Sequence, residues 1–198
     1  MDKKELIEDL RRKRFPEQII RAFEKVRREE FVPEEEKKYA YRDIPLYIGY
    51  GATISQPYTI AFMLDLLKVK DKQKILEIGS GSGYVLALLS ELSPDGKIFG
   101  IERIKELADS SKEKLKKYKN IEVIHGNGFK GLEKEALFDR ILVSASAEEI
   151  PYNLINQLKE KGILVTPVRS SILRIVKEKK ENKIEEYPGF AFVPLIDE

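Results

Sequence analysis

The stretch Lys74-Ile75-Leu76-Glu77-Ile78-Gly79-Ser80-Gly81-Ser82-Gly83-Tyr84 decides the fold. A short apolar run containing one acid leads into three glycines at alternate positions, and an apolar helical pattern over residues 85–92 follows at once. This order predicts a buried strand, a tight turn and the start of a helix. Glycine suits such a turn because the backbone bends sharply there and a ligand can approach it closely.

A second acid follows at the end of the next predicted strand, where residues 97–101 lead into Glu102. An acid about 20 residues after a glycine turn can accept hydrogen bonds from ribose hydroxyls. The spacing G-S-G-S-G differs from the G-x-G-x-x-G of dinucleotide sites, and the absence of a following Gly-Lys-Ser/Thr excludes a P-loop. The acid Glu77, just before the turn, suits a cationic amino-acid end better than a phosphate. The pattern predicts a nucleoside-bearing ligand, and a turn that binds nothing is the alternative.

Strand and helix patterns alternate from here to the C-terminal part of the chain. Strands are expected near residues 74–78, 97–101, 121–125, 139–144 and 162–166, and helices near 84–92, 104–118 and 151–159. Such alternation predicts an α/β fold with a mostly parallel twisted sheet and helices on both faces. Two further strands, near 171–178 and 183–193, have no helix between them and predict an antiparallel C-terminal hairpin.

The N-terminal part is predicted to be mainly helical. Leu6, Ile7 and Leu10 have helical spacing, and Pro16 opens a second helix. The basic run at residues 11–14 is interpreted as a solvated helix end, with a nucleic-acid patch as the alternative. Residues 44–51 are predicted to be an apolar loop outside the core that covers a ligand. Ser55 is predicted to cap the helix that follows it, with Pro57 in the first turn.

Composition limits the classes of function. The chain has 198 residues, 42% of them hydrophobic, and a net charge of +2, which fits one domain without an obvious nucleic-acid partner. It lacks cysteine, which excludes disulfides and thiolate metal sites, and its one histidine, His125, cannot form a multi-histidine site; no metal is expected. His125 is interpreted as a packed strand residue rather than a base. No membrane span or signal peptide is apparent, so we expect a cytoplasmic protein without a membrane partner. The 35% of charged residues are typical of hyperthermophile proteins.

The motif E-I-G-S-G-S-G resembles the first motif of S-adenosylmethionine (AdoMet) methyltransferases, and the whole chain resembles one family of them. Ala52-Thr53-Ile54-Ser55-Gln56-Pro57 is similar to the active-site segment of the protein-L-isoaspartate (D-aspartate) O-methyltransferases. Further similar segments are Val26-Arg27-Arg28-Glu29-Glu30-Phe31-Val32-Pro33, Phe138-Asp139-Arg140-Ile141 and Phe192-Val193-Pro194-Leu195. The resemblance implies a single Rossmann-like AdoMet-dependent methyltransferase domain over residues 1–198. Residues 1–57 would form its helical and active-site loop region, and 58–198 its AdoMet-binding core and C-terminal strands.

The resemblance also implies roles around the cofactor, S-adenosyl-L-methionine, whose product is S-adenosyl-L-homocysteine. The glycine turn would lie along the methionine end, with Glu77 facing its ammonium group; a helix cap is the alternative for Glu77. Glu102, beside Arg103, would bind the ribose, and an exposed strand-end acid is its alternative. Asn127-Gly128 would lie at the adenine, or form a plain turn. The implied cofactor residues are Glu77, Gly79, Ser80, Gly81, Gly83, Glu102, Arg103, Asn127 and Gly128.

On the substrate side, the resemblance gives Ser55 a catalytic role next to the methyl donor and the substrate carboxylate, with Thr53 as a second hydroxyl. Ala52, Ile54, Phe192 and Val193 would contact the substrate. The implied substrates are L-isoaspartyl and D-aspartyl residues of damaged proteins and peptides. Methylation of RNA or a small molecule, and a non-catalytic relative that binds AdoMet or peptides, are the alternatives. A monomer is the default expectation for the oligomeric state.

Three positions depart from the family pattern. Ala52 stands where many bacterial members have Gln, and Asn127 stands at the acid of a G-D-G motif. Arg169 stands where a Gly is usual. The last two bear on how strongly cofactor and substrate bind, because Asn accepts hydrogen bonds without the charge of an acid.

Overall fold

The structure is a computed structural model that describes residues 1–195. Its strands are β1 (Leu46–Gly49), β2 (Ala52–Ile54), β3 (Lys74–Ile78), β4 (Lys97–Glu102), β5 (Ile121–His125), β6 (Phe138–Val143), β7 (Leu158–Val168), β8 (Ser171–Val176) and β9 (Lys183–Pro188). Seven of them form a sheet in the order β5-β4-β3-β6-β7-β8-β9. Strands β3 to β7 are parallel, whereas β8 pairs antiparallel with both β7 and β9. The predicted α/β fold and its antiparallel C-terminal strands are confirmed.

Different sets of helices cover the two faces of the sheet. The helices are α1 (Lys3–Arg12), α2 (Glu17–Lys25), α3 (Pro57–Leu67), α4 (Tyr84–Leu92), α5 (Lys105–Leu115) and the short α6 (Tyr152–Asn156). Successive residues of a strand point to opposite faces. Ile75 joins the core formed with α1 to α5, and Leu76 joins the core formed with α6. Shortening a buried leucine such as Leu64 of α3 to alanine would cost about 2–5 kcal/mol.

The order of the strands creates a switch point beside β3. The chain passes from β3 through β4 to β5, and then returns to place β6 on the other side of β3. In open α/β sheets, ligands bind outside the carboxyl ends of the strands at such a point. The ends of β3 and β6 are therefore where the topology places a site.

Helix α1 begins with a capping box and ends in the basic run. Glu5 N donates to Asp2 Oδ1 at 2.9 Å, and Asp2 N donates to Glu5 Oε2 at 2.7 Å. At the other end, Arg12 pairs with Asp9 at 3.0 Å, and Arg11 pairs with Glu24 of α2 at 2.7 Å. The helix-end interpretation of this run is confirmed.

The prediction that residues 44–51 form a loop outside the core was wrong for residues 46–49. β1 and β2 form an antiparallel hairpin in which Leu46 faces Ile54. Leu46 and Ile48 are buried while Tyr47 between them is exposed, which is the alternation of a strand. Tyr50 and Gly51 both have positive φ, 56° and 74°, and make the tight turn. Of the two glycines that suggested a loop, Gly49 ends β1 and Gly51 lies in the turn of the hairpin.

Two C-terminal boundaries also differ from prediction. The helix expected over residues 151–159 ends at Asn156, because Leu158 already pairs with Phe138 in the sheet. The strand expected to run to residue 193 ends at Pro188, and Gly189 turns the chain with a φ of +96°. Within the described range, no helix is both long and apolar enough to cross a membrane.

Candidate active site

Three adjoining cavities open at the carboxyl ends of β3, β4 and β6. The first, of about 300 Å³ and named here the turn cavity, is lined by the glycine turn, Glu102 and Gly128. The second, the Ser55 cavity, has about 250 Å³. The third, the Glu77 cavity, is a small space of about 40 Å³. The site therefore lies where the switch point of the sheet places it.

The three glycines of the turn all adopt left-handed backbone. Their φ values are 75° at Gly79, 51° at Gly81 and 86° at Gly83, a region that side chains disfavour. The N–H groups of Gly79 and Ser80 donate to Ile101 O at 2.9 and 3.1 Å, which fixes the turn to β4. Gly79 and Gly81 line the turn cavity, so a ligand there can touch the backbone directly.

The last glycine has a packing role. A Cβ on Gly83 would lie 2.7 Å from Leu115 Cδ1, so its absence lets the start of α4 pack against α5. Gly83 is not among the described residues that line the three cavities. Ser80 lines the Glu77 cavity, and its buried Oγ has no hydrogen-bond partner among the described residues. The predicted cofactor roles of both residues stay predictions.

Glu102 is buried, which overturns the alternative of an exposed strand-end acid. Its side chain is 6% exposed and accepts two backbone hydrogen bonds, from Gly81 N at 2.8 Å and from Ile104 N at 2.9 Å. One carboxylate thus joins the glycine turn to the start of α5. Each carboxylate oxygen has more than one lone pair, so both can also accept from hydroxyls of a ligand in the turn cavity. The exposed Arg103 lines the same cavity.

Glu77 is a buried acid with one oxygen unpaired. It is 1% exposed, and its Oε1 accepts from Ser144 Oγ at 2.7 Å. Its Oε2 has no partner among the described residues. Burial raises the pKa of Glu77 to about 8, the Ser144 hydrogen bond lowers it, and the charge of Glu102 raises it further. Helix α4 has no side-chain cap, so the alternative that Glu77 caps it is wrong.

Asn127 and Gly128 follow β5. Asn127 Oδ1 accepts from Phe129 N at 2.8 Å and begins a 3-10 turn over Gly128–Lys130. Gly128 lines the turn cavity, where a Cβ would lie 2.5 Å from Ile78 Cγ2. Asn127 is exposed and is not among the described residues that line this cavity. Asn127 therefore does form a turn, as the alternative predicted, and its contact with adenine stays a prediction.

The single histidine lies apart from the cavities. His125 ends β5 and is exposed, so the prediction that it packs in the sheet was wrong. Its Nε2 lies 3.1 Å from Arg103 O. The reason is that His125 is the last residue of β5, an edge strand, so its ring lies beyond the buried Val123 on the same face.

Ser55 does not cap α3, contrary to prediction. The helix begins at Pro57, its N-cap is Gln56, and that residue makes no side-chain cap bond. Proline has no N–H, so Tyr58 N is the donor that needs an acceptor, and Asp43 Oδ1 accepts from it at 2.7 Å. An acid from another segment thus replaces Ser55 as the cap. Ser55 instead lines both the Ser55 cavity and the Glu77 cavity.

Two hydroxyl residues line all three cavities. They are Thr53, in the middle of β2, and Ser144, directly after β6. Both therefore lie at the junction of the cofactor-side and substrate-side spaces. Sequence reasoning named Thr53 but missed Ser144. The available signal was a hydroxyl directly after a buried strand next to the switch point.

The other predicted substrate residues surround this junction. Ala52 lines the turn cavity and Ile54 the Glu77 cavity. Val193 lines the turn and Ser55 cavities, and Phe192 lines the Ser55 and Glu77 cavities. Chemically, the arrangement offers an unpaired acid to a cation, a second acid to hydroxyls, and a cluster of hydroxyls between two spaces.

Comparison with known proteins agrees with this arrangement. The family model described as Protein-L-isoaspartate(D-aspartate) O-methyltransferase (PCMT) matches residues 1–198. A Protein-L-isoaspartate O-methyltransferase of Methanothrix thermoacetophila is 42% identical over 201 residues, covering 99% of this chain and 95% of the relative. Protein-L-isoaspartate O-methyltransferase 2 of Archaeoglobus fulgidus is 45% identical over 184 residues, covering 89% and 84%.

A solved structure is also similar over its full length. A Plasmodium falciparum chain, described under the same enzyme name and crystallised with S-adenosyl-L-homocysteine, superposes with a TM-score of 0.86. It is 28% identical, and each chain covers 100% of the other. The likeness therefore extends over the N-terminal helices, the sheet and the C-terminal strands alike.

Proposed function

This chain belongs to the protein-L-isoaspartate(D-aspartate) O-methyltransferase family, and from that premise we propose how its residues carry out the reaction. It is an AdoMet-dependent protein-L-isoaspartate O-methyltransferase that acts on isoaspartyl residues of proteins. The structural observation that supports our assignment of roles is the junction at Thr53 and Ser144, where a cofactor-side cavity and a substrate-side cavity meet.

The residues present fit the cofactor. The Oε2 of Glu77, which has no partner among the described residues, suits the ammonium group of the methionine end, since burying an unpaired carboxylate oxygen is costly. Glu102 suits the ribose hydroxyls, which two lone-pair-bearing oxygens can hold while the carboxylate also fixes the turn. Gly79 and Gly81 let the ligand lie against the backbone. When bound, AdoMet supplies a methyl group on a positively charged sulfur.

The substrate carboxylate needs positioning rather than activation. A free carboxylate has a pKa near 4, so it is already ionised at neutral pH and requires no general base. Its oxygen bonds to the methyl carbon as the carbon–sulfur bond breaks, and no proton moves. The exposed position of His125 agrees with this chemistry. We propose that Ser55 orients the carboxylate by a hydrogen bond and that Thr53 assists it, so that catalysis consists of alignment and exclusion of water.

Selectivity follows from the same alignment. An isoaspartyl residue carries its free carboxylate directly on the backbone carbon next to the amide, whereas an aspartyl residue presents it on a side chain from a different backbone path. We propose that Phe192 and Val193 contact the substrate backbone beside the Ser55 cavity, because both line it. An aspartyl carboxylate then misses the transfer axis although its intrinsic reactivity is similar.

A labelled-methyl assay separates this function from its alternatives. The protein and labelled AdoMet are incubated with an isoaspartyl peptide, with transfer RNA, or with a mixture of small carboxylic acids. Base-labile label in the isoaspartyl peptide alone is expected, because a methyl ester hydrolyses in base. Label in RNA or in the small acids alone, or AdoMet binding without any transfer, would reject the function.

We also propose that the source is a thermophile. Besides the charge-rich composition, ion pairs connect distant segments: Lys117 with Glu30 at 3.0 Å and Lys25 with Glu91 at 2.9 Å. Ion-pair networks gain importance at high temperature because the desolvation penalty of charges falls. A melting midpoint above about 80 °C is expected in a thermal melt, and one near 50 °C would reject the proposal.

A further inference from the structure

Ser144 is fixed by both its backbone and its hydroxyl. Its N–H donates to Ile78 O at 2.9 Å, which holds the residue at the end of β6 next to β3. Its Oγ donates to Glu77 Oε1 at 2.7 Å. The hydroxyl proton is thus directed at one oxygen of Glu77, while the other oxygen, Oε2, has no partner among the described residues.

The surroundings of Glu77 offer it no cation. From β4 the neighbouring acid is Glu102, whose charge disfavours ionisation of Glu77. From α3 the side chain of Met63 lines the Glu77 cavity, and from α4 the phenol of Tyr84, which stays neutral because burial raises its pKa. Among residues 1–195, no lysine, arginine or histidine lines this cavity. The Ser144 hydrogen bond is therefore the one interaction identified that favours the ionised carboxylate.

We propose that Ser144 is a positioning residue that aims Glu77 at the ammonium group of the cofactor, and that binding of this cation expels a proton from the Ser144–Glu77 pair. The inference rests on the proposed function, because that function supplies the cofactor whose ammonium group Glu77 would bind. It adds a residue to the binding machinery and an exchange of protons that accompanies binding.

The proton released on binding comes from Glu77. With a pKa of about 8, Glu77 of the ligand-free protein is mostly protonated at pH 7. An ammonium group carries a full positive charge and N–H donors, so it binds the carboxylate form and the carboxylic proton passes to the buffer. The Ser144 hydroxyl keeps its proton and continues to donate to Glu77 Oε1, which leaves Oε2 to receive the cation. The affinity of the protein for the cofactor must then increase with pH until Glu77 is already ionised in the ligand-free protein.

S-adenosyl-L-homocysteine is the probe for the test, because it has the ammonium group but no charge on sulfur. Calorimetry at pH 7 in two buffers of different ionisation enthalpy counts the protons released. More than about half a proton per site is expected, and the Kd should fall severalfold between pH 6 and 7. This window lies below the pKa of the ligand's own α-amino group, so that group stays charged.

Two variants separate positioning from general structure. Ser144→Ala should weaken binding about tenfold at pH 7 and move the increase in affinity to higher pH. Ser144→Thr keeps the hydroxyl, so its Kd at pH 7 should lie within about threefold of that of the wild type. Its affinity should also increase over the same pH range as in the wild type. Ser146→Ala is the matched control, because its hydroxyl donates to Arg169 O and does not face Glu77. Glu77→Gln should abolish proton release.

The outcomes are distinguishable. No proton release by the wild-type protein and a constant Kd between pH 6 and 7 would overturn the inference, and this result does not depend on any variant folding. A Ser144→Ala profile equal to that of the wild type would also overturn it. If the wild type binds the probe and methylates an isoaspartyl peptide while these tests fail, the proposed function stands. If it neither binds nor methylates, the proposed function itself fails.

Discussion

Asp43 Oδ1 accepts a 2.7 Å hydrogen bond from Tyr58 N, so an acid 15 residues earlier in the chain caps the helix that follows Ser55. The same carboxylate lies in the field of Arg28, which is fully buried and stacks over the Tyr84 ring at 5.3 Å. Burial lowers the pKa of Arg28 to about 10, and the charge of Asp43 opposes that shift. Asp43 therefore connects the N-terminal region to the segment that carries Ser55.

Removal of this cap should affect stability and turnover together. We expect Asp43→Ala to lower the free energy of unfolding by about 1 kcal/mol, the usual loss for a helix cap. Turnover should fall more than affinity for S-adenosyl-L-homocysteine, because the displaced segment carries Ser55 rather than the cofactor residues. Glu35→Ala, which removes the same charge at an exposed site, is the control. Unchanged turnover in Asp43→Ala would contradict this role.

Glu102 should contribute to cofactor binding in two ways. Glu102→Ala removes an ionised acceptor for the ribose and frees Gly81 N and Ile104 N, so affinity should fall by roughly 1.5–3 kcal/mol. Calorimetry with S-adenosyl-L-homocysteine measures it, with the exposed acid Glu106→Ala of α5 as the control. An affinity equal to that of the wild type in Glu102→Ala would exclude Glu102 from the ribose site.

Glu77 should make the ligand-free protein less stable as pH rises. Its pKa in the folded state, about 8, lies above the ordinary value of 4.5, so the folded protein binds more protons between these values. The stabilisation is complete below pH 4.5 and is lost as the pH rises through 8. Denaturant unfolding at pH 5 and pH 8 should differ by a few kcal/mol, on the order of the linkage expected for such a shift. In Glu77→Gln this contribution should vanish; an identical pH dependence in the variant would refute the assignment.

Ser55 should affect turnover and not cofactor binding. We expect Ser55→Ala to lose roughly a hundredfold in kcat, since misalignment of the reacting groups can cost that much. Affinity for S-adenosyl-L-homocysteine should stay within about twofold, because the two acids proposed to hold the cofactor are hydrogen-bonded to Ser144, Gly81 and Ile104 rather than to Ser55. Ser110→Ala, an exposed serine of α5, is the matched control. Near-normal turnover in Ser55→Ala would leave Ser55 without a catalytic role.

The parts of the fold that could be predicted are those determined by local pattern. One continuous stretch predicts β3, the glycine turn and α4. Its apolar run favours a strand, its three glycines favour a tight turn, and its helical apolar pattern favours a helix. The hairpin of β1 and β2 was missed because Gly49 and Gly51 suggested a loop. Only pairing with Ala52–Ile54 shows that they close a turn.

The parts that could not be predicted depend on contacts distant in sequence. Nothing near Ser55 indicates that Asp43 takes over the capping role, and nothing near Ser144 indicates a bond to Glu77, 67 residues earlier. Likewise, the burial of Arg28 results from its position against Tyr84. Composition could not reveal it, because arginine is usually exposed.

The most direct test of the central claim compares two peptides that differ only in one linkage. One contains an isoaspartyl residue and the other an aspartyl residue at the same position, and each is incubated with the protein and labelled AdoMet. The account predicts base-labile methyl label in the isoaspartyl peptide and none detectable in the aspartyl peptide, because only the first places its carboxylate on the transfer axis beside Ser55. Equal labelling of the two peptides would contradict it.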